Sequence, residues 1–119
     1  MVQEMPDPVV TITAQEAQAM RENCNHLIDL QDSLIRLKNN ADFKKVFMNE
    51  YVQKEAVRLV GLLGDTVINQ APNKEALRED FHERMIGIAR FSEFMRQINA
   101  LGNKAREQLE QINKAIVVD

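Results

Sequence analysis

The hydrophobic positions form their clearest pattern between Asn73 and Val117. Apolar or small residues recur there at intervals of three or four, which places them on one face of an α-helix. The pattern predicts a helix over about residues 74–117 that continues, straight or kinked, through Gly102, although glycine inside a helix costs about 1 kcal/mol relative to alanine. The stripe consists of Phe81, Met85, Ile88, Ser92, Met95, Ile98, Gly102, Ala105, Leu109, Ile112 and Ile116.

Another helical pattern comes earlier in the chain, over about residues 14–38. Thr13 and Glu16 have the spacing of a capping box, in which the two side chains satisfy backbone N–H groups of the first turn. The leucines that follow repeat at three, four and three residues, which predicts a coiled-coil-like seam. The residues of this predicted seam are Met20, Leu27, Leu30, Leu34 and Leu37.

The second helix in chain order is predicted between these two, over about residues 41–63. The helix over about residues 14–38 is therefore the first predicted helix, and the helix over about residues 74–117 is the third. Asn40 precedes it and is a favourable N-cap residue. The second half of this helix is apolar on nearly all sides, so we expect it to be the most buried of the three. Gly64 is predicted to end the helix in the left-handed αL conformation, which favours glycine.

The N-terminal residues differ from the rest of the chain. Pro6 and Pro8 are incompatible with a helix interior and favour an extended backbone. The sequence therefore predicts an all-α fold of three main helices, organised as an extended arm over residues 1–12 and a single helical domain over residues 13–119.

The last turns of the long helix have no predicted cover. Roughly 43 residues at about 1.5 Å per residue would span about 65 Å, and two shorter helices packed beside it reach only about its first 25 residues. We therefore expect another copy or a larger protein assembly to cover the remainder, with the arm of a neighbouring copy as a candidate. The predicted interface residues are Val9, Val10, Ile12, Ala105, Leu109, Ile112 and Ile116.

Composition indicates the cellular context. The chain has 119 residues, one cysteine and a net charge of −3. A single cysteine cannot form an internal disulfide, which favours synthesis in the reducing cytoplasm. No apolar run approaches about 18 residues, and the N-terminus lacks the apolar core of a signal peptide, so we expect neither a membrane span nor a signal sequence.

Few residues are candidates for chemistry. Cys24 and His26 point to different faces of a helix, and His82 is the only other histidine. Zinc sites need three or four protein ligands, and a cysteine nucleophile needs a positioned base. Asp80 precedes Arg84 by one turn, which is typical of a solvated helix face. We therefore predict no catalytic, cofactor-binding or metal-ligating residue, no cofactor and no enzymatic activity.

One basic patch lies near the predicted turn between the first two helices. Its residues are Arg36, Lys38, Lys44 and Lys45. Asp42 lies within the patch and reduces its charge. Contacts to phosphate groups dominate nucleic-acid affinity and need positive charge. Because this patch is small and partly neutralised, nucleic acid is the less favoured partner. If nucleic acid binds, we expect it to bind at this patch.

Part of the same region resembles a known family. Residues 40–46 read Asn-Ala-Asp-Phe-Lys-Lys-Val and are followed by Tyr51, Glu55 and the pair Arg58 and Leu59. This pattern, over about residues 40–60, resembles small helical proteins encoded in head and packaging gene modules of tailed bacteriophages. The resemblance implies a virion or morphogenesis protein, and no functional residue of the family carries over.

The expected function is that of a non-enzymatic helical structural or assembly protein. It would oligomerise or dock on a larger complex, such as a tailed-phage virion into which it is incorporated after cytoplasmic synthesis. Two alternatives stay open: a nucleic-acid-handling module in packaging or regulation, and a small inhibitor of a host protein.

Overall fold

The computed structural model describes residues 11–118, and these residues are almost entirely helical. The all-α prediction is confirmed. In chain order, the elements are β1 (Thr11–Thr13), α1 (Ala14–Lys38), α2 (Ala41–Phe43), a π-helix (Lys44–Glu55), α3 (Ala56–Leu63), α4 (Thr66–Gln70), α5 (Lys74–Lys114) and β2 (Ile116–Val118).

The predicted helix starts agree with the observed ones because the capping residues act as the sequence indicates. The Thr13 hydroxyl accepts a hydrogen bond from the Glu16 N–H at 3.1 Å, directly before α1. The second predicted helix runs from residue 41 to residue 63 as α2, the π-helix and α3 in succession. Asn40 Oδ1 accepts hydrogen bonds from the backbone N–H groups of Asp42 and Phe43. α5 continues through Gly102, as predicted.

The third helix ends earlier than predicted, at Lys114 instead of about residue 117. Ile116–Val118 forms β2, which pairs in parallel with β1 so that Thr11 lies opposite Ile116. Three consecutive β-branched residues favour extended backbone over another helical turn, which explains why the helix ends before Ile116. Thr11 and Ile12 are extended in β1, in agreement with the predicted end of the arm.

The residues between the second and third predicted helices contain the short helix α4. Asp65 Oδ1 accepts from the N–H groups of Val67 and Ile68 at 2.8 and 3.3 Å, which is the geometry of an N-cap. Gly64 has a φ of −94°, so the αL prediction for this residue is wrong. Its N–H donates to the Gly61 carbonyl, which tightens the last turn of α3 without a left-handed residue.

The described chain clusters into two compact units. Within the described range, the first unit comprises residues 11–32 and 99–118, and the second comprises residues 33–98. Both α1 and α5 contribute residues to each unit. The single-domain prediction for residues 13–119 stays a prediction.

In the first unit, α1 and α5 pack antiparallel. Cys24 Sγ lies 3.8 Å from Gln108 Oε1, and Gln31, further along α1, bonds to Asn99, which lies earlier in α5. Small side chains allow two helices to approach closely. The buried core of this unit consists of Ala17, Cys24, Ala105 and Ile112.

Two predictions about this helix pair are wrong. The buried positions of α1 in the first unit are Ala17, Cys24 and Gln31, spaced by seven, while Met20 and Leu30 are exposed. The seam follows the small residues because these let the α5 backbone approach. Of the predicted leucines, Leu27 is partly buried against this core and Leu34 is buried in the second unit. α1 also covers α5 as far as Ile112, because antiparallel pairing sets the start of α1 against the end of α5.

The second unit has two core clusters, Leu34 with Met95 and Ile98, and Leu59 with Phe81 and Ile88. We expected the second predicted helix to be the most buried, and this is wrong. Leu59 is the buried residue that α2, the π-helix and α3 contribute, and Val57 is 73% exposed. The apolar character of α3 on all sides therefore leaves apolar surface in solvent.

The π-helix changes which side chains face the core of the second unit. Phe43, Met48, Val52 and Ala56 all pack against its clusters, at intervals of five, four and four. A helix with i→i+5 hydrogen bonds has a wider turn than an α-helix, so these intervals stay on one face. At about 3.6 residues per turn they would drift around the helix.

Candidate functional site

The second unit contains an open groove of about 490 Å³ beside the π-helix, which we call the π-helix groove. Turns of π-helix within longer helices occur frequently at functional sites, so this groove is the candidate site. Its lining residues are Val46, Glu50, Tyr51 and Glu55 from the π-helix and Arg84, Gly87 and Ile88 from α5.

The wider helical turn explains where the π-helix groove forms. The four lining residues of the π-helix are four, one and four positions apart, which places them on one side of a helix with i→i+5 bonds. On α5, Gly87 has no side chain to fill the space, and a Cβ there would lie 3.8 Å from the Tyr51 hydroxyl oxygen. The lining residues of the π-helix therefore face the space that Gly87 leaves on α5.

Aromatic rings lie beside the π-helix groove. Phe47 stacks on Phe43 and on Phe91 with centroid distances of 5.2 and 5.9 Å, and Tyr51 meets Phe91 edge-on at 5.8 Å. Stacked and edge-to-face arrangements are the favoured ones for aromatic pairs. Phe47 and Tyr51 both remain exposed, so the aromatic cluster presents apolar surface to solvent.

The charged residues around the π-helix groove pair within the chain. The pairs are Glu50 with Lys54 at 2.8 Å, Glu55 with Arg58, and Asp80 with Arg84 at 3.0 Å, the last with the one-turn spacing noted in the sequence. Exposed ion pairs of this kind contribute little to stability. A partner that brings its own charges can therefore replace them at low cost.

Glu55 carries a negative charge that is stabilised by neighbouring arginines. Its hydrogen bond from Arg58 lowers the pKa of the Glu55 carboxyl, and the charges of Arg58 and Arg84 act in the same direction, against partial desolvation. Glu55 in turn raises the pKa of Arg58. Glu55 is therefore ionised at neutral pH, and any stability it adds is lost only as the pH falls through its lowered pKa.

The candidate metal ligands do not come together. Cys24 is buried in the first unit, whereas His26 on α1 is exposed and His82 is exposed in the second unit. Over residues 11–118, no group of three or more His, Cys, Asp or Glu side chains could hold a metal ion.

The predicted interface residues have different surroundings. Ala105 and Ile112 are buried against the chain's own α1, and Leu109 and Ile12 are partly buried against the same core. These residues were predicted to lie in an interface because the last turns of the long helix were expected to be uncovered. That expectation is wrong, since α1 of the same chain covers these turns. The last of the set, Ile116, is exposed on β2. The other two, Val9 and Val10, lie outside the described residues.

The predicted basic patch is exposed. Arg36 and Lys38 lie at the end of α1, and Lys44 and Lys45 begin the π-helix, all with accessible side chains. Arg36 donates to Ser33 Oγ at 3.0 Å. Any nucleic-acid role for the patch stays a prediction.

One polar cluster in the first unit was missed by the sequence analysis. Gln31 is 3% exposed, and its Nε2 donates to the Asn99 carbonyl, Asn99 Oδ1 and Asn103 Oδ1 at 3.0, 2.9 and 2.8 Å. Its Oε1 accepts from Arg106 Nε at 3.0 Å. The spacing of seven from Ala17 through Cys24 to Gln31 was the signal that could have located it.

The Arg106 guanidinium also pairs with Asp32 at 2.7 Å. Asp32 and Arg36 are also one helical turn apart, a spacing that favours an ion pair within α1, but Asp32 pairs with Arg106 instead. The cluster around Gln31 therefore joins α1 to α5 by both neutral and charged hydrogen bonds.

Comparison with known proteins adds no assignment. No family model, curated protein or solved structure matches this chain. Within the described residues, none of the helices combines the length and the apolar character needed to cross a membrane.

Proposed function

We propose that this chain is a non-enzymatic assembly protein that associates with copies of itself or docks on a larger protein complex. The observation that carries the proposal is the exposed apolar surface. Among the described residues, more large hydrophobic side chains are exposed than buried. Single exposed residues of this kind are ordinary, but a contiguous apolar patch marks an interaction site.

The π-helix groove is the part of this surface best suited to a partner. Its lining combines apolar side chains with charged ones and includes the exposed ring of Tyr51. The exposed ring of Phe47 belongs to the aromatic cluster beside it. Aromatic side chains are enriched where interfaces are tight. We expect an apolar side chain of the partner to enter the groove.

The resemblance to phage head and packaging proteins extends the proposal to a role in virion structure or morphogenesis. Three of the residues that carry the resemblance, Val46, Tyr51 and Glu55, line the π-helix groove. Mass spectrometry of purified particles would test this part. A virion role predicts that the chain copurifies with the particles, and its absence from them would leave a non-structural role in assembly.

Nucleic-acid binding is the second candidate, favoured by the exposure of Arg36, Lys38, Lys44 and Lys45. Binding of this kind weakens steeply as salt rises. Retention on DNA at low salt that disappears at moderate salt, and is removed by Lys44→Glu, would favour this candidate over protein docking.

The first prediction concerns the mass of the protein in solution. Burial of exposed apolar side chains favours association, so sedimentation velocity should give a mass above 13.7 kDa that rises with concentration. A mass of 13.7 kDa at every concentration would contradict self-association.

A matched pair of variants locates the surface. Val46 lines the π-helix groove and Gln53 is an exposed residue of the same helix outside the lining. Val46→Glu should weaken association, because it adds a buried charge beside the carboxylates of Glu50 and Glu55, while Gln53→Glu adds the same charge outside the groove and should not. Equal effects would show that the groove is not the contact.

A further inference from the structure

The described ends of the chain meet in a two-stranded ribbon. β1 and β2 pair in parallel, with Ile12 opposite Val117. No third strand joins them within residues 11–118. Each ribbon edge is therefore a row of backbone N–H and C=O groups that can pair with another strand.

This ribbon is unusual for its strand direction. Parallel sheets are normally covered on both faces, and a two-stranded sheet is marginal in water at best. Yet Ile116, Val117 and Val118 are 52%, 46% and 45% exposed. Three consecutive apolar residues therefore lie in solvent, on both faces of one strand. A further strand beside β2 would cover part of these side chains by cross-strand contact.

The two strands are not equivalent. In β1, Ile12 packs against the core of the first unit and the Thr13 hydroxyl caps α1. In β2, all three side chains are apolar, β-branched and exposed. The free edge suited to a further strand is therefore the edge of β2 that faces away from β1.

We infer that β2 pairs in antiparallel orientation with β2 of a second copy, about a two-fold axis at Val117. In this register, Val117 lies opposite Val117 of the second copy, and Ile116 lies opposite its Val118. All three pairs are β-branched and uncharged, which favours cross-strand contact without repulsion. The contact is self-complementary and closes as a dimer, giving a four-stranded sheet in the order β1, β2, β2, β1.

The size of this contact sets its strength. Three residues on each copy bury far less than the about 1,200 Å² of a standard stable interface. We therefore expect a weak dimer that forms as concentration rises. This inference rests on the proposed function, since it names a second copy as the partner and adds the β2 edge as a contact for self-association, separate from the π-helix groove.

The test uses the two-fold position. Val117→Lys and Val117→Asp each place like charges opposite one another, so each should weaken the dimer by about tenfold or more in the dissociation constant. An equimolar mixture of the two variants sets lysine opposite aspartate and should restore association. Val67→Lys and Val67→Asp are the controls, at a valine of α4 that is 75% exposed, and both should associate like the wild type.

Sedimentation equilibrium gives the constants, and far-UV circular dichroism verifies that every variant keeps its helices. If the wild type associates and the Val117 variants associate equally well, the inference fails and the proposed self-association stands. If the mixture stays as weak as either variant alone, the two-fold register is wrong. A wild type that is monomeric at every concentration would overturn this inference and the self-association, and would leave docking on a larger complex as the proposed function.

Discussion

At the residue scale, the contact between Gln31 and Gly102 fixes how α1 and α5 meet in the first unit. Gln31 is buried and its amide bonds to residues on both sides of Gly102 along α5. A Cβ at Gly102 would overlap the Oε1, Cδ and Cβ atoms of Gln31. A buried polar residue in a helical seam specifies register at some cost in stability, and here the glycine makes the space for it.

Substitution of Gly102 tests this contact. Gly102→Ala should destabilise the protein by about 1–3 kcal/mol, because Gln31 must move and its buried amide loses partners. This loss exceeds the gain of about 1 kcal/mol in helix propensity. Rotation of the Gln31 side chain cannot relieve the overlap, since its Cβ is fixed to the α1 backbone. Chemical denaturation measures the difference.

Gly61→Ala is the matched control. Gly61 is also helical, but no atom of another residue lies within 4 Å of a Cβ built there. Only the higher helix propensity of alanine should then affect stability, and the variant should be more stable than the wild type by up to about 1 kcal/mol. Equal stabilisation by both substitutions would mean that Gln31 does not depend on the space at Gly102.

The sequence could not reveal Gln31 directly, because a glutamine on a predicted helix is usually solvated. Gly102 was recognised as a weak point of the long helix, since propensity is a local property. Its role as the space for Gln31 depends on a residue 71 positions away in the chain, and neither residue alone indicates the other.

At the element scale, the helix starts and the buried face of α5 were predictable, whereas the end of α5 and the buried face of α1 were not. Limits depend on nearby capping residues such as Thr13 and Asn40, whose hydrogen bonds are as expected. Faces depend on what the helix packs against, so the leucine stripe of α1 was a wrong guide beside small residues. An apolar period of about 3.6 residues cannot reveal a π-helix, whose turn is wider. The π-helix groove depends on that wider turn and is therefore equally hidden in the sequence pattern.

The position of the α1 faces can be tested with two leucines. Leu34 is buried with Met95 and Ile98, whereas Leu30 is exposed. Leu34→Asp should lower the free energy of unfolding by several kcal/mol, because it buries a charge and removes an apolar side chain. Leu30→Asp should cost about 1 kcal/mol or less, as surface substitutions do. A thermal melt in which both variants lose equal stability would place the buried face on the leucine stripe after all.

At the scale of the whole molecule, the all-α class follows from few glycines and prolines and from long periodic stretches. The division into two units does not follow from composition or periodicity, because it depends on which parts of α1 and α5 contact other elements. The π-helix groove belongs to the second unit and the β2 edge to the first. The proposed contacts are therefore separable, and a variant in one unit should leave the contact of the other intact.

The way the chain divides into units also sets the order in which it folds. The second unit is one continuous run, whereas the first joins segments whose contacts, such as Gln31 to Asn99, are 68 residues apart. Closing so long a loop costs entropy before any contact repays it. We therefore expect the second unit to form early and the first unit to close last.

Stopped-flow kinetics on the full chain would reveal this order. Leu59→Ala, in the second unit, should slow refolding, and Ile112→Ala, in the first, should mainly speed unfolding. Slower refolding of the Ile112 variant with an unchanged unfolding rate would reverse the order. With the expected order, β2 reaches β1 only at the end of folding, so its free edge is presented to a second copy only by molecules that have already folded.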